Sequence, residues 1–399
     1  MPRLLQIDSC LGVLSTGRIS EGIASVAINS GWECFIAHGA RYVGKSVMHS
    51  YQVESKIGEY LHYSKSLLLD SHGLGSERAT RRLIHWIDTV VKPDIVQLHC
   101  IHGYYLNYKI LFEYLNSKSV PVVWTFHDCW AFTGHCAHFV AENCFKWRDG
   151  GCKECMLTRS YPKALKDSSE TNYALKKGLF ATSSRLHIVA VSEWMASLVR
   201  VSFLREKSLS IIKNGVDLHS FYPCSSKKNK PVILGVASVW GNDKGLSDFY
   251  RLRELLPLDE YDIKLVGLTQ SQISQLPKGI DGIGRTDSVR ALAEIYSEST
   301  VLVNPTYADT FPTVNLEALA CGTPVITYDT GGSPEAIDEL TGVCVPRGNV
   351  GEIASAVINL SENRVDIEAC RTRAIDLFDR DVCFRRYIDL YSELLNGKI

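Results

Sequence analysis

The stretch of sequence that decides the fold lies in the last quarter of the chain and reads Asn304-Pro305-Thr306-Tyr307-Ala308-Asp309-Thr310-Phe311-Pro312-Thr313-Val314-Asn315-Leu316-Glu317-Ala318-Leu319-Ala320-Cys321-Gly322-Thr323-Pro324-Val325-Ile326. An apolar strand is followed by a turn, and a helix begins around Thr313 before a glycine and a proline stop it. Free backbone N–H groups and the positive dipole end at such a helix start form an anion site suited to phosphate. Asp309 and Glu317 bracket this site.

On both sides of this stretch, short strand-like runs alternate with longer helical patterns, which is typical of parallel sheets crossed by helices. Predicted strands of the first half are 4–7, 33–37, 95–98, 122–126 and 187–191, and those of the second half are 232–236, 261–266, 301–304 and 324–328. The sequence therefore predicts an α/β protein of two Rossmann-like domains that face each other across a cleft, with ligands at the carboxyl ends of the strands.

The predicted domain boundaries follow from composition. Residues 1–220 form the first domain, a polar and basic segment with a proline near each end, 221–230, is the predicted linker, and 231–380 form the second domain. The final segment, 381–399, carries apolar residues at helical spacing and is predicted as one amphipathic helix that packs back toward the first domain.

Composition excludes several classes of protein. The chain has 399 residues, 45% hydrophobic and 22% charged, which argues against disorder or a disulfide-dense mini-protein. It lacks an apolar run of the roughly 18 residues that span a bilayer, and its first residues lack the apolar core of a signal peptide, so we expect a cytoplasmic protein. The net charge of −1 gives no indication of nucleic-acid binding.

Spacing alone leaves Asp309 and Glu317 open to an ordinary interpretation, as a turn acid and a helix-face carboxylate. Carboxylates beside a phosphate site are electrostatically unfavourable unless they accept hydrogen bonds from hydroxyl groups. Sugar and ribose hydroxyls are the obvious donors, so the pair is consistent with a nucleotide-sugar site.

The stretch from Asp309 to Glu317 resembles the E-x7-E region of retaining, GT-B-fold glycosyltransferases of family 4. The similarity extends through Thr330-Gly331-Gly332-Ser333-Pro334-Glu335 and back to Asn214-Gly215-Val216-Asp217, and it covers essentially the whole chain. The resemblance implies that Glu317 holds the ribose hydroxyls of the nucleotide and that the first acid contacts the transferred sugar. That acid is Asp309 here, one methylene shorter than the usual Glu.

The resemblance also assigns donor-binding residues elsewhere in the second domain. Lys244, before Gly245, matches the cation that grips the donor diphosphate, while Ser238 stands where Arg is common. A hydroxyl binds phosphate without neutralising it, so Lys244 would carry more of the charge. Five further donor-side residues are assigned from the family pattern: Gly284 and Arg285 by the base pocket, and Phe311, Pro312 and Thr313 at the helix start.

In the first domain, the loop after the opening strand contains Gly17 and Arg18, which the resemblance places by the donor phosphates. His127 directly follows a strand, in Phe126-His127-Asp128, and matches the active-site histidine of the family, which contacts the donor sugar. His99 and His102 end the preceding strand and are weaker candidates for the acceptor side. Any of these histidines could instead be a buried structural residue.

A cysteine-rich insert occupies about 129–156. Cys136, Cys144, Cys152 and Cys155 fall within twenty residues and end in Cys-x2-Cys, which fits a tetrahedral thiolate zinc site that braces a polar loop. A typical four-cysteine site has a second Cys-x2-Cys, which is missing here. Free thiols, or a disulfide disfavoured in a reducing compartment, are therefore the alternatives to structural zinc.

Together these features predict a retaining transferase that moves a sugar from a nucleotide-diphosphate sugar to an acceptor hydroxyl, with no cofactor required for catalysis. The insert resembles that of bacterial exopolysaccharide, capsule or O-antigen transferases, which implies a lipid-linked saccharide acceptor. Two alternatives stay open: another GT-B enzyme on nucleotide sugars, such as an epimerase or a soluble-sugar transferase, and a non-catalytic subunit that binds a nucleotide sugar.

Charge is divided unevenly between the halves. Residues 1–220 carry a net charge of +6 and the remainder −7. The excess positive charge follows the cysteine cluster, at Lys153, Arg159, Lys163, Lys166, Lys176, Lys177 and Arg185. A basic face on the first domain could hold it peripherally against an anionic membrane surface. A solvated helix face is the alternative.

Overall fold

A computed structural model describes residues 1–148, 150–363 and 365–397. The chain divides into two compact units, one of Met1–Lys213 with Phe384–Ile399 and one of Asn214–Cys383. Each unit is built on a parallel sheet with helices, which confirms the predicted α/β class. Within the described residues no helix is long and apolar enough to cross a bilayer.

The sheet of the first unit has the strand order β3-β2-β1-β4-β5-β6-β7, and all its pairs are parallel. Its strands are β1 Arg3–Leu11, β2 Glu33–Val43, β3 His49–Gln52, β4 Ile95–Leu98, β5 Val122–Phe126, β6 Leu186–Ala190 and β7 Ser208–Ile211. Its helices before the crossing to the second unit are α1 Leu14–Asn29, α2 Lys56–Leu69, α3 Glu77–Trp86, α4 Tyr108–Asn116, α5 Ser169–Phe180 and α6 Glu193–Val201.

The sheet of the second unit has the order β10-β9-β8-β11-β12-β13, again parallel throughout. Its strands are β8 Val232–Val236, β9 Asp262–Val266, β10 Ile280–Ile283, β11 Val301–Asn304, β12 Val325–Tyr328 and β13 Gly342–Val345. Its helices are α7 Leu246–Leu255, α8 Gln270–Ile273, α9 Val289–Glu298, α10 Thr313–Ala320, α11 Val350–Glu362 and α12 Ile367–Phe378, and α13 Arg380–Leu395 follows them.

The four strands absent from the sequence prediction, β3, β7, β10 and β13, are the edge strands of the two sheets. Interior strands such as β4 and β11 are buried at every position, so each is mostly apolar and carries one polar residue. Edge strands are half exposed and carry polar residues, so their sequences lack that signal.

Helix α13 packs on the first unit, as the sequence predicted. Tyr391 donates a hydrogen bond from its hydroxyl to Gln97 Oε1 at 2.9 Å, and the Tyr387 hydroxyl lies 3.1 Å from Thr125 Oγ1. Both tyrosines are buried, and Tyr391 also contacts the ring of Trp32. The segment from Phe384 onward therefore completes the core of the first unit.

The segment predicted as the linker, 221–230, groups with the second unit. Lys227 anchors it there, because its ammonium donates to Ser299 O and to Thr323 Oγ1, both at 2.7 Å. The chain passes between the units after Lys213 and again after Cys383. Proline and basic residues gave this segment the composition of a linker, but these contacts hold it against one unit.

Candidate active site

In the second unit, Lys244 and Asp309 form an ion pair. The Lys244 ammonium lies 2.8 Å from Asp309 Oδ2, and it also lies 3.3 Å from Ala308 O and 3.4 Å from Thr306 Oγ1. Burial alone would lower the pKa of Lys244, but the Asp309 carboxylate raises it overall, so the side chain stays charged. The two residues that the sequence assigned to phosphate and to sugar thus meet directly.

Gly245 explains how Lys244 reaches this position. Its φ is +70°, and a Cβ there would lie 2.3 Å from Pro305 O. Only glycine can adopt that conformation and also lie so close to Pro305. The absence of a Cβ at Gly245 therefore lets the loop after β8 pack directly on the loop after β11. The Lys-Gly pair is therefore one structural unit, in which the glycine positions the cation.

A second glycine turn holds Asp309 from its other side. Gly331 has φ +57°, and a Cβ there would lie 1.7 Å from Asp309 O. Gly332 N donates to the same carbonyl oxygen at 3.2 Å, and Phe311 N donates to Asp309 Oδ1 at 3.3 Å. The Thr-Gly-Gly turn named in the sequence thus fixes the backbone and the orientation of Asp309.

Helix α10 begins at Thr313 with no side-chain hydrogen bond at its N-cap, Pro312, and no acidic residue in its first turn. An N-terminus of this kind favours an anion. Asn315 secures the helix, because it accepts from Asn304 Nδ2 at 2.8 Å and donates to Ser333 Oγ at 3.0 Å. Phe311 and Pro312 are buried and Thr313 is half-buried.

Glu317 lies one turn further along α10 and is 9% exposed. Its Oε2 accepts a hydrogen bond from the Tyr296 hydroxyl at 2.9 Å. The sequence gave no indication of Tyr296, which comes from α9. Because a carboxylate has two oxygens with several acceptor positions, this bond orients Glu317 without exhausting its capacity to accept hydroxyl groups.

The remaining donor-side residues of the second unit lie at carboxyl ends of strands. Ser238 is exposed in the loop after β8, and Arg285 is exposed after β10, next to the half-buried Gly284. Loops at the carboxyl ends of the strands are where parallel α/β sheets bind ligands, and all three residues lie in such loops. Their assigned contacts with donor remain predictions.

In the first unit, Gly17 lies buried in the first turn of α1. A Cβ at this position would lie 3.1 Å from Cys10 Cβ and 3.2 Å from Gly12 N. Close packing of the helix on the end of β1 therefore accounts for the glycine. Arg18 is exposed on the same turn.

His127 and His99 form a hydrogen-bonded pair at the carboxyl ends of β5 and β4. His99 Nδ1 lies 3.0 Å from His127 Nε2, and His99 Nε2 lies 2.8 Å from Gln6 Oε1. Burial lowers the pKa of His127 to about 4 and that of His99 well below its ordinary value, so both rings are neutral near pH 7. Gln6 Nε2 donates to Ser20 O, which leaves its oxygen as the acceptor.

These contacts fix the tautomers. Because Gln6 Oε1 accepts, His99 Nε2 carries the proton, and its Nδ1 accepts from the N–H at His127 Nε2. The buried polar chain orients the His127 ring, so His99 is a positioning residue. Gln6 was missed from the sequence, although a fully buried polar residue within the apolar run of β1 is a signal that could have identified it.

His102 pairs with Asp128, the residue after His127. His102 Nε2 lies 2.7 Å from Asp128 Oδ2, and His102 Nδ1 lies 3.1 Å from the Tyr161 hydroxyl. Burial alone would raise the pKa of Asp128, but the His102 ring lowers it overall to about 2. Among the described residues, Asp128, His102 and Cys100 form the group of three metal-ligating side chains within 4.8 Å of one another.

Two family models match the chain. "Glycosyltransferase Family 4" matches residues 47–220, and "Glycosyl transferases group 1" matches residues 230–363. Residues 47–213 of the first match fall in the unit that contains His127, and the second match falls in the unit that contains Lys244, Asp309 and Glu317. Each match therefore covers one of the two sites described above.

Similar proteins include two bacterial relatives. WcaC of Escherichia coli strain K12, named as a colanic acid biosynthesis glycosyl transferase, is 27% identical over 282 residues, which cover 67% of this chain and 68% of that protein. The N,N'-diacetylbacillosaminyl-diphospho-undecaprenol alpha-1,3-N-acetylgalactosaminyltransferase of Campylobacter jejuni is 26% identical over 231 residues. That match covers 52% of this chain and 61% of the relative.

Among solved structures, the sucrose-phosphate synthase of Thermosynechococcus elongatus aligns over 100% of both chains with a TM-score of 0.74. Its sequence identity is 17%, so the likeness concerns the fold alone.

Proposed function

Because the chain belongs to family 4 of the GT-B-fold glycosyltransferases, we propose that it transfers a sugar from a nucleotide-diphosphate sugar to a hydroxyl of a saccharide acceptor, with retention of anomeric configuration. The observation that carries this proposal is the Lys244–Asp309 ion pair. It lies in the unit that also holds the uncapped start of α10 and the Glu317 carboxylate.

The charge distribution of this unit suits a leaving diphosphate. Departure of the diphosphate concentrates negative charge on its oxygens, and preorganised positive groups stabilise that charge. Lys244 supplies a full charge, the start of α10 supplies backbone N–H groups, and Ser238 supplies a hydroxyl. Binding of the diphosphate to Lys244 would release Asp309 Oδ2 to accept a hydrogen bond from the sugar.

In the proposed reaction, the bond between the anomeric carbon and the phosphate oxygen breaks, and its electron pair leaves with the diphosphate. The acceptor oxygen bonds to the anomeric carbon on the same face, and its proton passes to the departing phosphate oxygen. The neutral, rigidly oriented His127 would contact the sugar in this step. Asp309 then serves the sugar as a hydrogen-bond acceptor, with no protein nucleophile involved.

The acceptor proposal rests on the relatives. One is named for transfer to a diphospho-undecaprenol-linked saccharide with formation of an alpha linkage, and the other is named for colanic acid biosynthesis. We therefore propose a lipid-linked saccharide acceptor and a role in surface polysaccharide synthesis. In the first unit, the exposed Tyr161, whose hydroxyl lies 3.1 Å from His102 Nδ1, supplies a polar group that suits saccharide hydroxyls.

The first unit also carries an exposed apolar surface that suits a membrane. On α2, Ile57, Tyr60, Leu61 and Leu68 share one face and are 75%, 61%, 64% and 58% exposed. Leu165, 76% exposed, joins this surface because its backbone N–H donates to Leu67 O at 2.7 Å. We call this set the α2 surface.

Four exposed lysines lie close in sequence to the residues of the α2 surface: Lys56, Lys65, Lys163 and Lys166. Apolar side chains flanked by cations bind anionic lipid interfaces. Of the basic residues that the sequence grouped together, Lys176 does not contribute, because it is buried with only 1% exposure. We propose that the α2 surface rests on an anionic membrane and brings the first unit to a lipid-linked acceptor.

Sedimentation with vesicles tests the membrane proposal. Wild-type protein should pellet with vesicles of phosphatidylglycerol and phosphatidylcholine, and Leu61→Asp with Leu165→Asp should reduce the bound fraction by about tenfold, since each change places a charge in the interface. Leu255→Asp, at a 54% exposed leucine of the second unit, is the matched control and should bind as wild type. Equal binding by all three proteins would contradict the proposal.

Product analysis separates the proposed function from its alternatives. The purified chain is incubated with each of a panel of nucleotide sugars, with and without a polyprenyl-diphosphate-linked saccharide, and the products are identified by mass spectrometry. A transferase enlarges the acceptor by one sugar. Conversion of the donor without acceptor would indicate an epimerase, and nucleotide binding without any product would indicate a non-catalytic subunit.

A further inference from the structure

The cysteine-rich insert contains a group of thiols that the proposed reaction does not use. Cys136 is buried in the core of the first unit, and Cys144, Cys152 and Cys155 are half-buried and pack against the same core. Cys152 Sγ lies 3.1 Å from the backbone N of Gly134, two residues before Cys136, which brings these two cysteines to the same part of the insert. All four thiols are free in the structure.

The segment that carries three of these cysteines is held by turns and by hydrogen bonds such as that from Cys155 N to Asp167 Oδ2 at 2.6 Å. The described residues between Asn143 and Ser168 form turns and irregular backbone without a helix or strand. Irregular segments of this length are uncommon in compact domains unless a crosslink or a function holds them. Yet Trp147 within it is 1% exposed and contacts the rings of Phe132 and Phe139.

Backbone N–H groups are directed at two of the sulfurs. Gly134 N donates to Cys152 Sγ at 3.1 Å, and the N–H of Leu157 hydrogen-bonds to Cys155. A Cβ at Gly134 would lie 2.7 Å from Cys152 Cβ, so glycine is needed for this approach. N–H groups that donate to sulfur stabilise a thiolate, which is the form that binds a metal.

A buried cation lies beside the thiols. The Lys176 Nζ donates to Trp130 O at 2.7 Å and to Thr133 O at 3.0 Å, both neutral acceptors, and it lies 3.5 Å from the centroid of the Trp130 ring. Without an anionic partner in contact among the described residues, burial lowers the pKa of Lys176 to about 7. A buried charge is costly without a counter-charge. Four thiolates around Zn²⁺ carry a net charge of about −2 and would supply it.

We propose that Cys136, Cys144, Cys152 and Cys155 bind one structural zinc ion that crosslinks the insert to the core of the first unit. Because the structure contains no group of three of these sulfurs within 4.8 Å among its described residues, zinc binding includes a contraction of the irregular segment. The described residues between Cys144 and Cys155 form no helix or strand, so none would be broken by this adjustment.

The alternative metal-ligating group, Cys100, His102 and Asp128, is a poorer zinc site. His102 Nε2 and Asp128 Oδ2 already satisfy each other at 2.7 Å, and the group offers three ligands where a structural zinc takes four. The zinc is therefore assigned to the insert. There it would brace the segment that begins directly after His127 and Asp128 and includes the two carbonyl groups bound to Lys176.

Elemental analysis tests the proposal independently of any transferase activity. The full chain, purified under reducing conditions from zinc-supplemented medium, should contain about one zinc per chain, and X-ray absorption should show four sulfur ligands at about 2.3 Å. Cys152→Ser with Cys155→Ser should lose the zinc. Cys224→Ser, at a half-buried cysteine of the second unit, is the matched control and should keep it.

A second measurement covers the case in which the double variant does not fold. Progressive modification of the wild-type thiols with a mercurial should release the zinc, which a colorimetric chelator detects. The release should be complete when the four thiols of the insert have reacted. Zinc added alone to chelator-treated protein should then return the tryptophan fluorescence to that of the untreated protein, because Trp147 becomes buried again. Wild-type protein with less than about a tenth of a zinc per chain, or a zinc with nitrogen or oxygen ligands, would overturn the proposal.

Discussion

Replacement of Lys244 by alanine should lower kcat for sugar transfer by about 10²–10³-fold, the usual cost of removing one group that stabilises transition-state charge. Lys244 provides the full positive charge at the diphosphate in the second unit, because Arg285 is assigned to the base pocket and the other two proposed diphosphate contacts are a hydroxyl and backbone N–H groups. Initial rates at saturating donor measure the effect. KM for the donor should rise less than kcat falls, since charge on the diphosphate increases as the bond breaks.

The matched control is Lys228→Ala, which removes a lysine of the same unit that is 52% exposed and paired with Glu298. It should leave kcat unchanged. Because Lys244→Ala also leaves Asp309 without its cation, thermal unfolding of both variants should be compared, and a cost of about 1 kcal/mol is expected for this partly exposed pair. A folded Lys244→Ala protein with wild-type kcat would contradict the proposed role.

Replacement of Glu317 by glutamine should weaken nucleotide binding by about 10–100-fold, since hydrogen bonds to a charged acceptor contribute about 1.5–3 kcal/mol. Glutamine keeps the size of the side chain and can still accept from the Tyr296 hydroxyl, so the change isolates the carboxylate charge. Titration calorimetry with the free nucleoside diphosphate measures the loss directly, without turnover.

Tyr296→Phe distinguishes ribose binding from a structural role of Glu317. It removes the 2.9 Å hydrogen bond but leaves the carboxylate in place, so nucleotide affinity should fall by less than about fivefold, because the lost bond orients the carboxylate and does not itself contact the ribose. If Glu317→Gln binds nucleotide as wild type, or if Tyr296→Phe weakens binding as much as Glu317→Gln, the carboxylate is not the ribose ligand.

How far the fold could be predicted depended on burial. The interior strands β5 and β12 are buried at every position and were identified within a residue of their bounds, whereas β1 and β2 extend about four and six residues beyond their predicted ends. The edge strands β3 and β13 were missed because their exposed positions carry polar residues. Helix α13 was identified from its apolar spacing, and its tyrosines do pack on the first unit.

The site was predictable where a short motif carries the chemistry, and it was not where the contact joins distant parts of the chain. The Lys244-Gly245 pair and the stretch around Asp309 were identified separately, but their direct ion pair depends on two glycine turns and was not foreseen. Gln6 and Tyr296 were missed for the same reason. Lys176 was taken for a surface cation because a sequence does not show which lysines are enclosed.

The anomeric configuration of the product tests the central claim most directly. A donor from the panel with an α-linked sugar, carrying ¹³C at the anomeric carbon, is transferred to a polyprenyl-diphosphate-linked saccharide, and the product is examined by NMR before equilibration. Retaining transfer by the second-unit site predicts an α linkage in the product, with the nucleoside diphosphate released in equal amount. A β linkage would contradict the account, because inversion requires an acceptor attack from the face opposite the leaving diphosphate.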